Sequence, residues 1–151
     1  MKIEIVWGKS EGKTLISAFD KALLAAGIHN FNLIPLSSVI PAKAVVTEAG
    51  RHTSSQKTGD ILYVVLSSFG SAKANALITA GLGWVQTEDG GLFVEAKGEC
   101  RPEECEQEIR AGLEDMLSAR GWTGEIKTKV ITHRVQQIAN VTVAAVYNFG
   151  K

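Results

Sequence analysis

Only two stretches of this 151-residue sequence space their apolar residues as an amphipathic helix does. The first runs from about Thr14 to Ala26, with Thr14 as a candidate N-cap and Gly27 as the stop. The second spans 102–120, begins with Pro102, carries glutamates in its first turns and is followed by a glycine. Most other apolar runs alternate as strands do. We therefore predict an α+β fold, a sandwich in which helices cover mainly antiparallel sheet.

The same patterns predict which side chains are buried and where the strands lie. The first helix is expected to bury Ile16, Phe19, Leu23 and Ala26, and the second Cys105, Ile109, Leu113, Met116 and Leu117. The predicted strands are 2–7, 30–36, 42–48, 60–68, 75–85, 92–98, 125–135 and 140–149. The periodicity of 75–85 is ambiguous, and it is assigned as a strand because the "TEDGG" after it is typical of a hairpin turn. Residues 49–59 form a polar loop.

Composition limits the classes of partner. The chain has 16 Lys and Arg residues and 16 Asp and Glu residues, so its formal charges balance. We therefore expect no electrostatic binding to nucleic acid or to an anionic membrane. The alternating, charged start "MKIEIVWGKS" indicates a strand and not a signal peptide, and the expected compartment is the cytoplasm. Cys100 and Cys105 are then expected to be reduced thiols. No histidine lies near a cysteine in sequence, so no metal site is expected.

The segment "GKSEGKT", residues 8–14, resembles a phosphate-binding P-loop, which would make the chain a nucleotide-binding module. The P-loop pattern needs four residues between its glycines, whereas here there are three, and one of them is the acidic Glu11. The alternative is a tight turn from strand to helix, with Gly8 and Gly12 chosen for their conformation.

A pair of adjacent serines, Ser37 and Ser38, interrupts the apolar run of "NFNLIPLSSVIP". Buried hydroxyl groups need hydrogen-bond partners. Two other serine pairs have ordinary explanations: 54–55 lies in the polar loop, and 67–68 is expected in a turn. Taken alone, the first pair would be assigned to a strand bend in which the hydroxyls bond to backbone.

The surrounding segment closely resembles the N-terminal part of the pyruvoyl-dependent arginine decarboxylases. The shared pattern is Gly-x-Ser-Glu-Gly-x-Thr, then Ala-Phe-Asp with Ala-Leu-Leu-x-Ala-Gly-Ile, then Asn-x-Asn-Leu-Ile and Ser-Ser-x-x-Pro, all within residues 8–41. "GGLFVEAKGEC" at 90–100 and "ARGW" at 119–122 extend the match, whereas 45–75 match poorly. The resemblance spans nearly the whole chain.

The resemblance implies that the chain cuts itself between Ser37 and Ser38. One domain, 1–151, would thereby become a 1–37 β chain and a 38–151 α chain, and Ser38 would become a covalent pyruvoyl cofactor. Because serine is a poor nucleophile, the cleaved bond is expected to be strained and its carbonyl to be met by donors. Asn32 matches the family's processing asparagine; a backbone contact at a strand edge is its other possible role.

The implied reaction converts L-arginine to agmatine and carbon dioxide through a Schiff base to the pyruvoyl group. Glu95 would return a proton to the α-carbon, and Asp20 would bind the substrate guanidinium. The family also implies a four-layer α/β/β/α sandwich and a homotrimer, or a dimer of trimers, with sites between subunits. A trimeric relative that binds ligands without cutting itself remains an alternative, as does a sister enzyme acting on another cationic amine.

Overall fold

The computed structural model describes residues 1–149, which form two helices and nine strands. The helices are α1 (Leu15–Ala26) and α2 (Pro102–Arg120). The strands are β1 (Lys2–Glu11), β2 (Asn32–Pro35), β3 (Val39–Ile40), β4 (Val45–Gly50), β5 (Ile61–Ser71), β6 (Leu77–Thr87), β7 (Gly90–Gly98), β8 (Lys127–Arg134) and β9 (Ala139–Asn148).

The strands form two sheets with different edges. The five-stranded sheet has the order β2-β5-β9-β1-β4, and the four-stranded sheet has the order β3-β7-β6-β8. Within the described chain, β1 pairs with β4 and β2 with β5 in parallel, whereas the other pairs are antiparallel. The predicted α+β class with mainly antiparallel sheets is therefore confirmed.

Three apolar clusters hold these elements together. The largest lies between the two sheets and includes Ile5, Val143, Leu82 and Phe93, all fully buried. A second joins α1 to the five-stranded sheet, and a third joins α2 to the four-stranded sheet. Each helix thus covers the face of its sheet that does not meet the other sheet.

Both helices begin and end where their local signals predict. The Thr14 side chain accepts a hydrogen bond from the Ser17 amide at 3.0 Å, and Gly27 adopts the left-handed conformation that ends α1. α2 runs from Pro102 to Arg120 and is ended by a left-handed Gly121. Its predicted buried face is confirmed, with Met116 half-buried at the margin.

The predicted buried face of α1 is partly wrong, because Ile16 is 71% exposed and Phe19 only half-buried. Ala18 and Ala22 are buried instead, together with Leu23 and Ala26. Small residues face the sheet because α1 packs very close to β1: a Cβ atom built on Gly8 would collide with the carbonyl of Ala22. The apolar side chain of Ile16 is left on the outer surface of the helix.

Residues 8–11 do not form a phosphate-binding loop. They continue β1, which pairs with β9 through Glu11, so their backbone amides belong to a strand. Gly8 and Gly12 lie below α1, and neither has a left-handed φ. The short turn from strand to helix is present at residues 12–14, but the glycines serve close packing rather than an unusual conformation.

The remaining strands follow the predictions with three differences. The sequence of β6 does not alternate between polar and apolar residues because both faces of the strand are buried. Gly81 and Gly83 let α2 pack directly on this strand. β5 continues to Ser71, so the serine pair 67–68 lies in a strand and not in the predicted turn. The two-residue β3 was not predicted. Neither helix of the described chain is both long and apolar enough to cross a membrane.

Candidate functional site

The Ser37–Ser38 peptide lies where the chain passes from one sheet to the other. On its N-terminal side, the Leu36 amide donates to the Val64 carbonyl at 2.7 Å, which extends the β2–β5 pairing. On its C-terminal side, the Phe93 amide donates to the Ser38 carbonyl at 2.8 Å, which extends the β3–β7 pairing. Ser37 is therefore the single residue between two fixed points, one on each sheet.

The serine pair is at least partly accessible to solvent. Ser37 is exposed, whereas Ser38 is half-buried. Among residues 1–149, no hydrogen bond to the Ser37 carbonyl or from the Ser38 hydroxyl is found, and neither residue has a left-handed φ. Within the described chain, the Ser37 carbonyl therefore has none of the expected hydrogen-bond donors, and the pair shows no left-handed backbone conformation. The two flanking backbone hydrogen bonds, at Leu36 and at Ser38, are present, and we call them the backbone anchors.

Glu95 lies close to the serine pair on β7. The register places Ser38 opposite Phe93, and Glu95 is two residues further along the same strand, on the same face as Phe93. Diagonal neighbours of this kind have Cα atoms about 7–8 Å apart, within reach of a glutamate side chain. The register thus brings the strand that carries Glu95 alongside Ser38, at a spacing that a glutamate side chain can span.

The surroundings of Glu95 favour its protonated form. Partial burial raises the pKa of Glu95 above its ordinary value, and the positive charge of Lys97 lowers it by a smaller amount. By accessible surface, Glu95 is nevertheless an exposed residue of the single chain. A carboxyl group in this state can donate a proton at a higher pH than a free glutamate can.

Ser67 supports this edge of β7 and was missed in the sequence. Its fully buried hydroxyl donates to the carbonyl of Ala96 at 3.0 Å, and the Cys105 thiol lies 3.3 Å from the same oxygen. The contact joins β5 of one sheet to β7 of the other, directly beside Glu95. The only sequence signal was a serine within a run of β-branched residues, which does not identify its partner.

Asn32 is at the far end of β2 from the serines. Its side chain is exposed and its Nδ2 donates to the Gly59 carbonyl at 2.9 Å, the strand-edge contact that the sequence left open. Four residue steps of extended chain lead from it to Leu36, a distance of about 13 Å. Within one chain, the Asn32 side chain is therefore bonded at the opposite end of β2 from the Ser37 carbonyl.

Asp20 lies on the outer surface of α1, with Ile16 and Leu24 one turn away on either side. All three side chains are exposed, and no hydrogen bond or ion pair of Asp20 is found in residues 1–149. The five-stranded sheet separates α1 from β7 and Glu95. One chain thus brings the Ser37–Ser38 peptide alongside the strand that carries Glu95, and leaves Asn32 at the other end of β2 and Asp20 on α1.

Both cysteines are free thiols, as expected. Burial raises the pKa of Cys105 to about 12, and burial together with the negative charge of Glu104 raises that of Cys100. Neither thiol is thereby activated as a nucleophile. Cys105 is a buried apolar contact of α2, and Cys100 is half-buried beside it.

Comparison with known proteins decides the family. The family model described as "Pyruvoyl-dependent arginine decarboxylase (PvlArgDC)" matches residues 2–150. The chain belongs to this family. Its members are decarboxylating enzymes that depend on a pyruvoyl group.

Relatives that bear the family name match over nearly their whole length. The pyruvoyl-dependent arginine decarboxylase of Halobacterium salinarum is 33% identical over 97% of this chain and 93% of its own. The one from Pyrococcus abyssi is 36% identical over 93% of this chain and 89% of its own. The one from Methanothermobacter thermautotrophicus is 34% identical over 97% of this chain and 96% of its own.

Proposed function

We propose that this chain is a proenzyme that cuts itself between Ser37 and Ser38 and then decarboxylates L-arginine to agmatine. The observation that carries the proposal is the position of the Ser37–Ser38 peptide. It joins two fixed backbone anchors, at Leu36 and Ser38, and Glu95 lies on β7 two residues beyond Phe93, whose amide binds Ser38.

Self-cleavage begins with the Ser38 hydroxyl attacking the carbonyl of Ser37. A bond from Oγ to that carbon forms, the amide bond breaks, and the nitrogen of residue 38 takes a proton, so an ester replaces the amide. Elimination then removes the α-proton of residue 38 and breaks its Cβ–Oγ bond, which releases Ser37 as a chain-terminal carboxylate and leaves a dehydroalanine at residue 38. The dehydroalanine tautomerises to an imine, water hydrolyses the imine, ammonia leaves, and a pyruvoyl group remains on the 38–151 chain.

The two backbone anchors make this attack selective for one bond. Leu36 and Ser38 are held on different sheets, so the intervening peptide has little freedom to turn away from the hydroxyl. Glu95 is close enough to move a proton during the reaction. A donor to the Ser37 carbonyl must come from a second subunit, and Asn32, exposed at the end of β2, is our candidate.

In the processed enzyme, the pyruvoyl group supplies a ketone that binds the substrate amine and withdraws electrons from the α-carbon as carbon dioxide leaves. Glu95 would then donate a proton to that carbon. The raised pKa of Glu95 supports this role, because the carboxyl group keeps its proton closer to neutral pH.

Asp20 would recognise the guanidinium group, a planar fork that a carboxylate binds through two hydrogen bonds. Its exposed position, without a polar partner in its own chain, supports a site completed between subunits. Exposed apolar side chains around Asp20 and near β2, including Ile16, Ile34 and Ile61, support the same arrangement. We therefore propose a homotrimer or a dimer of trimers, each subunit a single domain and a four-layer α/β/β/α sandwich.

Intact mass measurement under denaturing conditions tests the cleavage. We expect a 1–37 chain and a 38–151 chain whose N-terminus is blocked to Edman sequencing. Ser38→Ala should stay uncut, whereas Ser54→Ala, which alters the serine pair of the polar loop, should process normally. A full-length species that persists in the wild type would favour the alternative of a binding relative that does not process. A rise in melting temperature with nucleotide would revive the nucleotide-binding alternative.

A further inference from the structure

Tyr147 reaches across the core to the segment that carries the serine pair. It lies on β9 of the five-stranded sheet and is 3% exposed, and its hydroxyl donates to the Val39 carbonyl at 2.8 Å. Val39 belongs to β3 of the other sheet and directly follows Ser38. A single buried side chain therefore connects the two sheets at the start of the proposed α chain.

The Val39 carbonyl is available because β3 is an edge strand. Ser38 and Ile40 are the residues that hydrogen-bond towards β7, so the carbonyl of Val39 points away from it. The segment is consequently held along both edges, by the Phe93 amide on one side and by Tyr147 on the other. Without the Tyr147 hydroxyl, this carbonyl would lose its partner at a part-buried contact.

The ring of Tyr147 is itself fixed by aromatic neighbours. Its centroid lies 6.2 Å from that of Phe93 and 5.8 Å from that of Phe149, and Phe93 packs in turn against Trp84 at 6.3 Å. Burial raises the pKa of the Tyr147 phenol, so the hydroxyl remains a donor over the pH range in which proteins work. The ring is thus held by its neighbours, and the phenol keeps the proton that it donates to Val39.

Cleavage would increase the importance of this contact. β3 pairs with β7 through only two residues, Val39 and Ile40, and a chain beginning at residue 38 has no covalent link to β2. The new terminus would be retained by hydrogen bonds to the β7 backbone and to Tyr147, together with the buried side chain of Ile40. A terminus that detached would carry the reactive group away from Glu95.

We propose that Tyr147 is a positioning residue that holds Val39 in place during self-cleavage and afterwards keeps the new N-terminus docked on β7. This inference rests on the proposed function, because it assigns a task to Tyr147 within that reaction. It adds a side-chain anchor to the two backbone anchors at Leu36 and Ser38.

The test compares Tyr147→Phe with Tyr63→Phe. Tyr63 is the cross-strand partner of Tyr147 on β5 and contacts Phe149, but no hydrogen bond of its hydroxyl is found in residues 1–149. Both changes remove one hydroxyl and keep the ring. Cleavage is followed by intact mass after cell-free synthesis, and kcat and KM for arginine are measured on fully processed protein well below the melting temperature.

We expect Tyr147→Phe to slow cleavage and to lower kcat by about tenfold, the scale of one buried hydrogen bond. Hydrogen exchange of the Phe93 amide should accelerate in Tyr147→Phe in the uncut Ser38→Ala background. Tyr63→Phe should change none of these quantities. A purely structural role would lower the melting temperature and leave kcat of the folded enzyme unchanged.

Wild-type cleavage, kcat and Phe93 exchange in Tyr147→Phe would overturn the inference while leaving the proposed function intact. If the wild type itself does not cut, the proposed function fails, and the positioning role in cleavage fails with it. The two failures are therefore distinguishable from the wild-type sample alone.

Discussion

Glu95 combines two properties that a proton donor needs. It lies on β7 two residues beyond Phe93, which binds Ser38, and partial burial raises the pKa of its carboxyl group despite the opposing charge of Lys97. We expect Glu95→Gln, tested as fully processed protein, to bind arginine but to lose about 10²- to 10⁴-fold in turnover. Glu99→Gln is the control, because Glu99 lies beyond the end of β7 and pairs with the exposed Lys73. Wild-type turnover of processed Glu95→Gln would assign the proton to another group.

Asp20 is expected to decide which substrates are accepted. Citrulline has nearly the shape of arginine but no charge, so it cannot form the paired contact with the carboxylate. Loss of a charged partner in a buried site costs about 2–5 kcal/mol, and citrulline should be decarboxylated correspondingly more slowly than arginine. Comparison of kcat/KM for the two substrates measures this. Comparable kcat/KM values for arginine and citrulline would show that Asp20 does not recognise the substrate. The Asp20→Asn variant should have a smaller difference in kcat/KM between the two substrates than the wild type.

At the scale of elements, Glu11 connects the end of β1 to the β8–β9 connection. Its carboxylate accepts hydrogen bonds from His133 Nε2 at 2.7 Å and from the amides of Gln136 and Gln137, both at 3.0 Å. Burial alone would raise the pKa of Glu11, but the bonds from Gln137, Gln136 and His133 outweigh it and lower the pKa to about 2. The ionised form is therefore the one that the fold stabilises.

A lowered pKa contributes stability that is complete above the unfolded pKa and is lost as pH falls towards the folded one. For Glu11 this range runs from 4.5 down to about 2. We expect the free energy of unfolding in urea to fall across this range less steeply in Glu11→Gln than in the parent protein. The uncut Ser38→Ala background keeps the protein a single chain during unfolding, and exposed Glu114→Gln on α2 should behave like the parent. Parallel pH profiles for all three proteins would contradict this role.

Elements with complete local signals were predictable, and contacts between distant elements were not. α2 is bounded by Pro102 and Gly121, both of which act through neighbouring residues. The spacing of α1 showed which side chains share a face, but the choice between Ile16 and Ala18 depends on Gly8 in another element. β3 has only two residues, too few to show the alternation of polar and apolar residues that predicts a strand. Hence the proximity of Ser38 to Glu95, set by the β3–β7 register, was suggested only by resemblance.

At the scale of the molecule, the separation of Asp20 from Glu95 predicts an assembly. We expect sedimentation equilibrium to give a trimer or a hexamer. Ile16→Glu, which places a charge beside Asp20 on a side chain that is 71% exposed, should dissociate it and abolish activity. Glu114→Lys on the outer surface of α2 should leave the assembly intact. A fully active wild-type monomer would show that one chain forms the whole site.

The passage of the chain between sheets also determines what the proposed cut would leave behind. The 1–37 piece would contribute β1, which lies between β9 and β4, together with α1 and the edge strand β2. The mature subunit would then be a complex of two peptides, and its unfolding would also be a dissociation. Its melting temperature would depend on protein concentration, and dilution after denaturation would hinder recovery. The uncut precursor would regain its fold at any dilution, so each molecule would acquire its native structure while it is still one chain.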